Sequence, residues 1–235
     1  MEFNKLKAPS LKDMFVREIE NKILSGEIEI GQQLPTERDM AEQMGVSRAV
    51  VNAGIAAMAG KGFLEIRPRV GTFVADYRRK GTMETLISIM NYNGGMLRRS
   101  EIRSILEFKI LIDCFSLRCL IPRVTQKDTD VLWSHLEQLR DCTKVTDASE
   151  AVFNFNHELC VLSGNAFAPL IYYSFRAPII NLWQRFMRMY GVQTVYNHNY
   201  KLFQFILKKD LDSAIRWVEE YIGQSIQGSK EIYSE

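Results

Sequence analysis

Arg38, Ser47, Arg48 and Asn52 lie on either side of Gly45, and their types suit nucleic-acid contact. A guanidinium is a planar fork of donors that matches a phosphate or the two acceptor atoms of a guanine edge. A serine that opens a helix can cap it and also touch a phosphate. An asparagine one turn beyond Arg48 carries the amide pair that reads adenine. Ala49 completes the first turn of the same segment. Arg67 and Arg69 follow around Pro68, ahead of Gly71, where they would track a backbone or minor groove. A single surface arginine is most often only solvated, so it is their order around one turn that gives these residues weight. The four cysteines show no Cys-x-x-Cys pair and read as small buried hydrophobes in a reducing compartment.

Those side chains need a scaffold, and the spacing predicts one. Phe15, Ile19 and Ile23 recur every four residues between Ser10, a plausible N-cap, and Gly26, a plausible stop, which predicts a helix over 10–25. Thr36 with Asp39 opens a short helix over 37–44, and Gly45 turns the chain. Ser47 then caps a helix whose Val51, Ile55 and Met58 face inward. Asn52 and Gly54 are poor residues for its interior. Phe63–Ile66 and Thr72–Val74 are short β-prone runs flanking a Pro and Gly turn, which predicts a hairpin. Helix, short helix, tight turn, helix and hairpin is the order of a winged helix-turn-helix. We place this domain at 1–75, a polar and basic linker at 76–81, and an all-helical domain at 82–235. The helices of the last are expected near 82–91, 97–121, 126–141, 148–163, 166–190, 195–208 and 210–226. The fold class is thus mainly α, with a small β-hairpin wing and a C-terminal helical bundle.

Composition excludes several classes. With 46% hydrophobic and 25% charged residues the chain is neither disordered nor fibrous. No apolar run approaches the roughly 18 residues needed to cross a bilayer, and the N-terminus lacks a signal-peptide core, so no membrane partner and a cytoplasmic location are expected. The net charge of +2 does not announce a DNA binder. Its distribution says more, because Lys61, Arg67, Arg69, Arg78, Arg79 and Lys80 face only Glu65 and Asp76 between residues 61 and 80.

The run LPTERDMAEQMGVSRAVVNAGIAAMAGKGFLEIRPRVGTFV closely resembles the DNA-binding domain of the GntR family. The helical remainder is similar to the ligand domain of that family's FadR subgroup, with EIRSILE from residue 101 and SGN at 163–165 as its recognisable pieces. The resemblance implies DNA contact by Arg38, Ser47, Arg48 and the wing from Arg67 to Gly71. It implies a homodimer on a near-palindromic operator of double-stranded DNA. Where the family commonly has Arg-Glu-Ala-Leu, this chain has Asn52-Ala53-Gly54-Ile55, so its sequence preference should differ. The remainder is too short for the aminotransferase-like domains that some such DNA-binding domains carry. No nucleophile–base pair or phosphate loop appears, so no enzyme is expected.

Many members of the subgroup resemble a metal site built from an Asp and a His four residues apart and two later His. The corresponding positions here hold Val152, Asn156, Asn199 and Tyr221, so neither a metal nor another cofactor is expected. His157 and His198 are each one residue from a ligand position, about 100° around a helix, and His135 is expected on the surface. Asn156, Asn199 and Tyr221 instead offer hydrogen bonds to an effector. Arg103 aligns with a pocket Arg of the subgroup and is expected to face the interior, unless it pairs with Glu107 one turn on. That residue implies a small anionic effector, with a fatty acyl-coenzyme A or a carboxylate as candidate. The contrasting expectation is a non-sensing helical module that serves only to dimerise.

Overall fold

The structure, a computed structural model, describes residues 9–92 and 99–232, and these fall into two units with a division between Met96 and Leu97. The first opens with α1 (Leu11–Ser25). Ser10 accepts from the Asp13 amide and Asp13 reaches back to Ser10, a reciprocal capping box. Gly26 ends the helix in the left-handed conformation (φ 83°). Then come α2 (Glu37–Gln43), capped by Thr36, and α3 (Arg48–Gly60), capped by Ser47. Gly45 makes the intervening turn at φ 64°.

Strands β1 (Leu64–Arg67) and β2 (Gly71–Val74) pair antiparallel, Leu64 opposite Val74 and Arg67 opposite Gly71. One core joins Phe15, Ile19 and Ile23 of α1 to Met40 of α2, Val51, Ile55 and Met58 of α3, Phe63 just before the hairpin and Val74 of β2. Each such side chain contributes roughly 1.5–3 kcal/mol by leaving water.

Gly54 is part of that core. A Cβ there would lie 2.3 Å from Cδ1 of Phe15, so α1 and α3 approach only because this position has no side chain. Residues 76–81, expected as a linker, carry a short helix α4 (Tyr77–Lys80), with Tyr77 packed 5.3 Å from the Phe63 ring. Helix α5 (Met83–Asn91) lies in this first unit, whereas we had expected it to open the second. Polar contacts explain the placement: the Thr85 hydroxyl donates to the Lys61 carbonyl and the Ser88 hydroxyl to Glu20.

The second unit is helical throughout: α6 (Arg99–Leu120), α7 (Gln126–Asp141), α8 (Val145–Leu162), α9 (Ala168–Ser174), α10 (Arg176–Tyr190), α11 (Val192–Leu207) and α12 (Leu211–Gln227). Helix α8 is central and packs on α6, α7, α9, α10 and α11. The single helix expected over 166–190 is two helices. Pro178 has no N–H to donate to Ser174, and its ring would strike that carbonyl, so the chain breaks at Phe175 and restarts with the proline in its first turn. Among the described residues no helix is long and apolar enough to cross a membrane.

Candidate functional site

In the first unit, α3 buries Val51, Gly54, Ile55 and Met58 and turns Arg48, Ala49 and Asn52 outward. Ser47 accepts from the Val50 amide at 3.3 Å, leaving its own hydroxyl proton to donate outward. Arg38 is exposed on α2. The wing tip is a turn in which the Val70 amide donates to the Arg67 carbonyl at 3.0 Å. Pro68 presets its first central position, and Arg69 takes the left-handed second one at φ 65°. Gly71 (φ 143°) has a structural reason to be glycine: a Cβ would lie 2.4 Å from Nε2 of Gln33, which donates to the Val70 carbonyl.

Most of the basic run is internally compensated. Lys80 and Arg67 both pair with Glu65, which holds that carboxyl below its usual range. Arg67 also lies 4.3 Å over the Phe73 ring. Arg78 and Arg79 pair with Asp76, and Lys61 with Glu20. Arg38, Arg48 and Arg69 make no ion pair with any described residue of the unit. Those three guanidinium groups are thus open to an external anion.

The second unit holds a buried polar cluster. Of the two expectations for Arg103, the pair with Glu107 is the one found: Arg103 lies on the outer face of α6, half exposed, with Nε 2.7 Å from Glu107. The interior cation is Lys109, two turns nearer the C-terminal end of the same helix. Its Nζ lies 2.5 Å from Asp113 and 3.2 Å from Oδ1 of Asn156, with the Tyr172 and Trp183 rings 5.6 and 5.7 Å away. Asn156 also meets Asn199 at 3.5 Å. Two of the expected positions are therefore in contact around a cation that sequence reasoning missed. Tyr221 and Lys109 line one small cavity of about 30 Å³ beside Trp183, Ser225 and Ile232.

Burial raises the Asp113 carboxyl against the pull of Lys109, and raises the Tyr172 and Tyr221 hydroxyls far above theirs. One carboxylate oxygen of Asp113, both of those hydroxyls and the Trp183 indole N–H have no hydrogen-bond partner among the described residues.

The donor set at the subgroup's metal positions does not fit a metal ion. It comprises two amides, a phenol and the apolar Val152. The amides donate to backbone carbonyls, Asn156 to Val152 and Asn199 to Val195, and an ammonium already sits beside Asn156. His157 packs between Phe153 and Tyr173 and contacts the Pro169 carbonyl at 3.2 Å. His198 is buried against Tyr221 and Trp217, with its pKa pushed down to about 4 chiefly by burial. His135, expected on the surface, is half-buried 4.0 Å from Glu158.

Comparison with known proteins agrees with both units. The family of bacterial regulatory proteins described as gntR matches residues 11–74, and the FCD domain matches 104–224. The HTH-type transcriptional regulator Mce2R of Mycobacterium tuberculosis is 34% identical over 101 residues, which are 43% of this chain and 42% of that protein. The Glc operon transcriptional activator of Escherichia coli is 25% identical over 127 residues, 54% of this chain and 48% of that one. The chain thus spans less than half the length of either relative. Among solved structures, Lar, described as controlling expression of the Listeria monocytogenes agr system, superposes with a TM-score of 0.60 at 13% identity. That match covers 94% of this chain and 97% of Lar, and it shows the fold. The chain therefore belongs to the gntR family of bacterial regulatory proteins, in the form that carries an FCD domain, and its relatives regulate transcription rather than catalyse reactions.

Proposed function

We propose that two copies of this chain bind a near-palindromic operator and that a small ligand in the helical unit sets their affinity for it, as in the FadR subgroup. In this reading Ser47, Arg48, Ala49 and Asn52 enter the major groove at the start of α3, and Arg38 approaches the same groove from α2. Arg69 and the Arg67–Gly71 turn follow the backbone. The observation that carries the reading is the contrast in charge: Arg38, Arg48 and Arg69 are exposed without an ion pair among the described residues, while their basic neighbours are paired. The test is selection of DNA fragments by the purified protein, followed by titration of the selected site. Wild type should pick one motif with two-fold symmetry, and Arg38→Ala and Arg48→Ala should lose affinity for it. Selection of no motif would overturn the reading.

The support for ligand control is the set of buried polar groups around Lys109 that have no partner among the described residues. An anionic ligand was expected from Arg103, and with Arg103 outside, its remaining support is Lys109. A second reading, a helical unit that only dimerises, is favoured by the small size of the cavity, about the space of one water. Thermal melting against a metabolite panel separates the two, since a ligand raises stability by RT ln(1 + [L]/Kd).

A further inference from the structure

We propose that the ligand of the helical unit is uncharged, with an apolar body and an acceptor oxygen such as that of an amide, ketone or ester. This rests on the reading that the unit senses a ligand, and it fixes the chemical class. Charge balance is the first ground. Lys109 and Asp113 are both buried and lie 2.5 Å apart, so the interior is already neutral. The ammonium is surrounded by Asp113, the Asn156 carbonyl and two ring faces. An incoming carboxylate would find no unbalanced cation and would set a second negative charge near Asp113 in a water-poor interior, where like charges repel strongly.

The unpartnered groups are the second ground. Trp183 and Tyr221 line the same cavity, and their N–H and hydroxyl are buried with no acceptor among the described residues. A carbonyl oxygen has two lone pairs and can accept from both. The rest of the lining includes Ile105, Ile179 and Phe186, which suit a hydrocarbon body.

Room for that body comes from Ile232. It lines the cavity and is buried, next to Glu231, whose carbonyl accepts from the Tyr190 hydroxyl at 2.8 Å. The polar head of the ligand takes the existing space, and its body displaces Ile232.

Calorimetric titration of the full chain at neutral pH with fatty amides, methyl esters and fatty carboxylates of matched chain lengths tests this. Wild type should bind the amide and ester about tenfold or more tighter than the carboxylate of equal length. Asp113→Asn leaves the Lys109 charge unbalanced, so its order of preference should invert toward the carboxylate. If Asp113→Asn does not fold, the charge-neutral double variant Lys109→Met with Asp113→Asn should keep the wild-type order. A wild type that prefers the carboxylate, or an Asp113→Asn protein with unchanged order, overturns the assignment while leaving ligand sensing intact. Binding of none of the three classes at any chain length would overturn sensing itself, and the uncharged class with it.

Discussion

Removing the Lys109 ammonium leaves the Asp113 carboxylate buried beside two tyrosine hydroxyls and an asparagine, with no cation to balance it. Lys109→Met should therefore destabilise the helical unit by about 3–5 kcal/mol, the usual result of orphaning one member of a buried pair. Adding Asp113→Asn should restore most of that in chemical denaturation. A single variant as stable as wild type would mean that the pair does not hold the interior together.

His198 makes a second test, in acid. Its folded pKa of about 4 lies below the ordinary 6.5, so the unfolded chain binds the extra proton first. The stability this neutral ring contributes is complete above pH 6.5 and is lost as pH falls toward 4. His198→Phe should flatten stability across that window, where Lys201 and Lys230 reinforce the depression. An unchanged acid limb would remove His198 as its cause. On the DNA side, Arg48→Ala should cost roughly 1–3 kcal/mol in operator binding if it grips a base. Arg67→Ala should cost less, because Arg67 is already held by Glu65 and Phe73, and titration of the selected operator ranks the two.

At the scale of elements, Gly54 decides how closely α1 and α3 approach. Gly54→Ala gains helix propensity but drives a methyl into the Phe15 ring, and overpacking of this kind costs about 1–3 kcal/mol. A lowered melting temperature with unchanged helix content would confirm it, and a raised one would show that Phe15 swings aside freely. In the sequence Gly54 shows only as a weak point of a helix, because tolerance of a glycine says nothing about what presses on it from another element.

The same reasoning explains what was legible elsewhere. Caps at Ser10, Thr36 and Ser47 are local chemistry, so the starts of α1, α2 and α3 were readable. The break at Phe175 was also local, written in Pro178, but an aromatic run masked it. Arg103 was left between the interior and a pair with Glu107, although periodicity held the answer. Ile102, Ile105, Leu106, Ile112, Leu117 and Leu120 define the buried stripe of α6, and positions 109 and 113 fall on it while 103 does not. The stripe locates Lys109 in the interior. Its meeting with Asn156 on α8 is a tertiary fact that no spacing within α6 contains.

For the whole molecule, the ionic-strength dependence of operator binding reports how many cations take part. Arg38, Arg48 and Arg69 in each of two copies, at about 0.9 per phosphate, predict a slope of log affinity against log salt of roughly −5. A slope nearer −10 would mean that the paired residues Arg67, Arg78, Arg79 and Lys80 open to reach phosphates. If the helical unit responds to a ligand, DNA and ligand must alter each other's affinity by one common factor, whatever path joins them. Equal shifts measured from both directions are the check. The compensation of the basic run by Glu65 and Asp76 has a further consequence for how such a protein finds its target. Attraction to arbitrary DNA comes from unspent positive charge, and between residues 61 and 80 most of it is paired with Glu20, Glu65 and Asp76. Copies of this protein should leave random chromosomal sequence quickly and search by brief encounters rather than long slides. If two copies bind an operator as proposed, few of them would be held on other sequence, and a low concentration would fill that site.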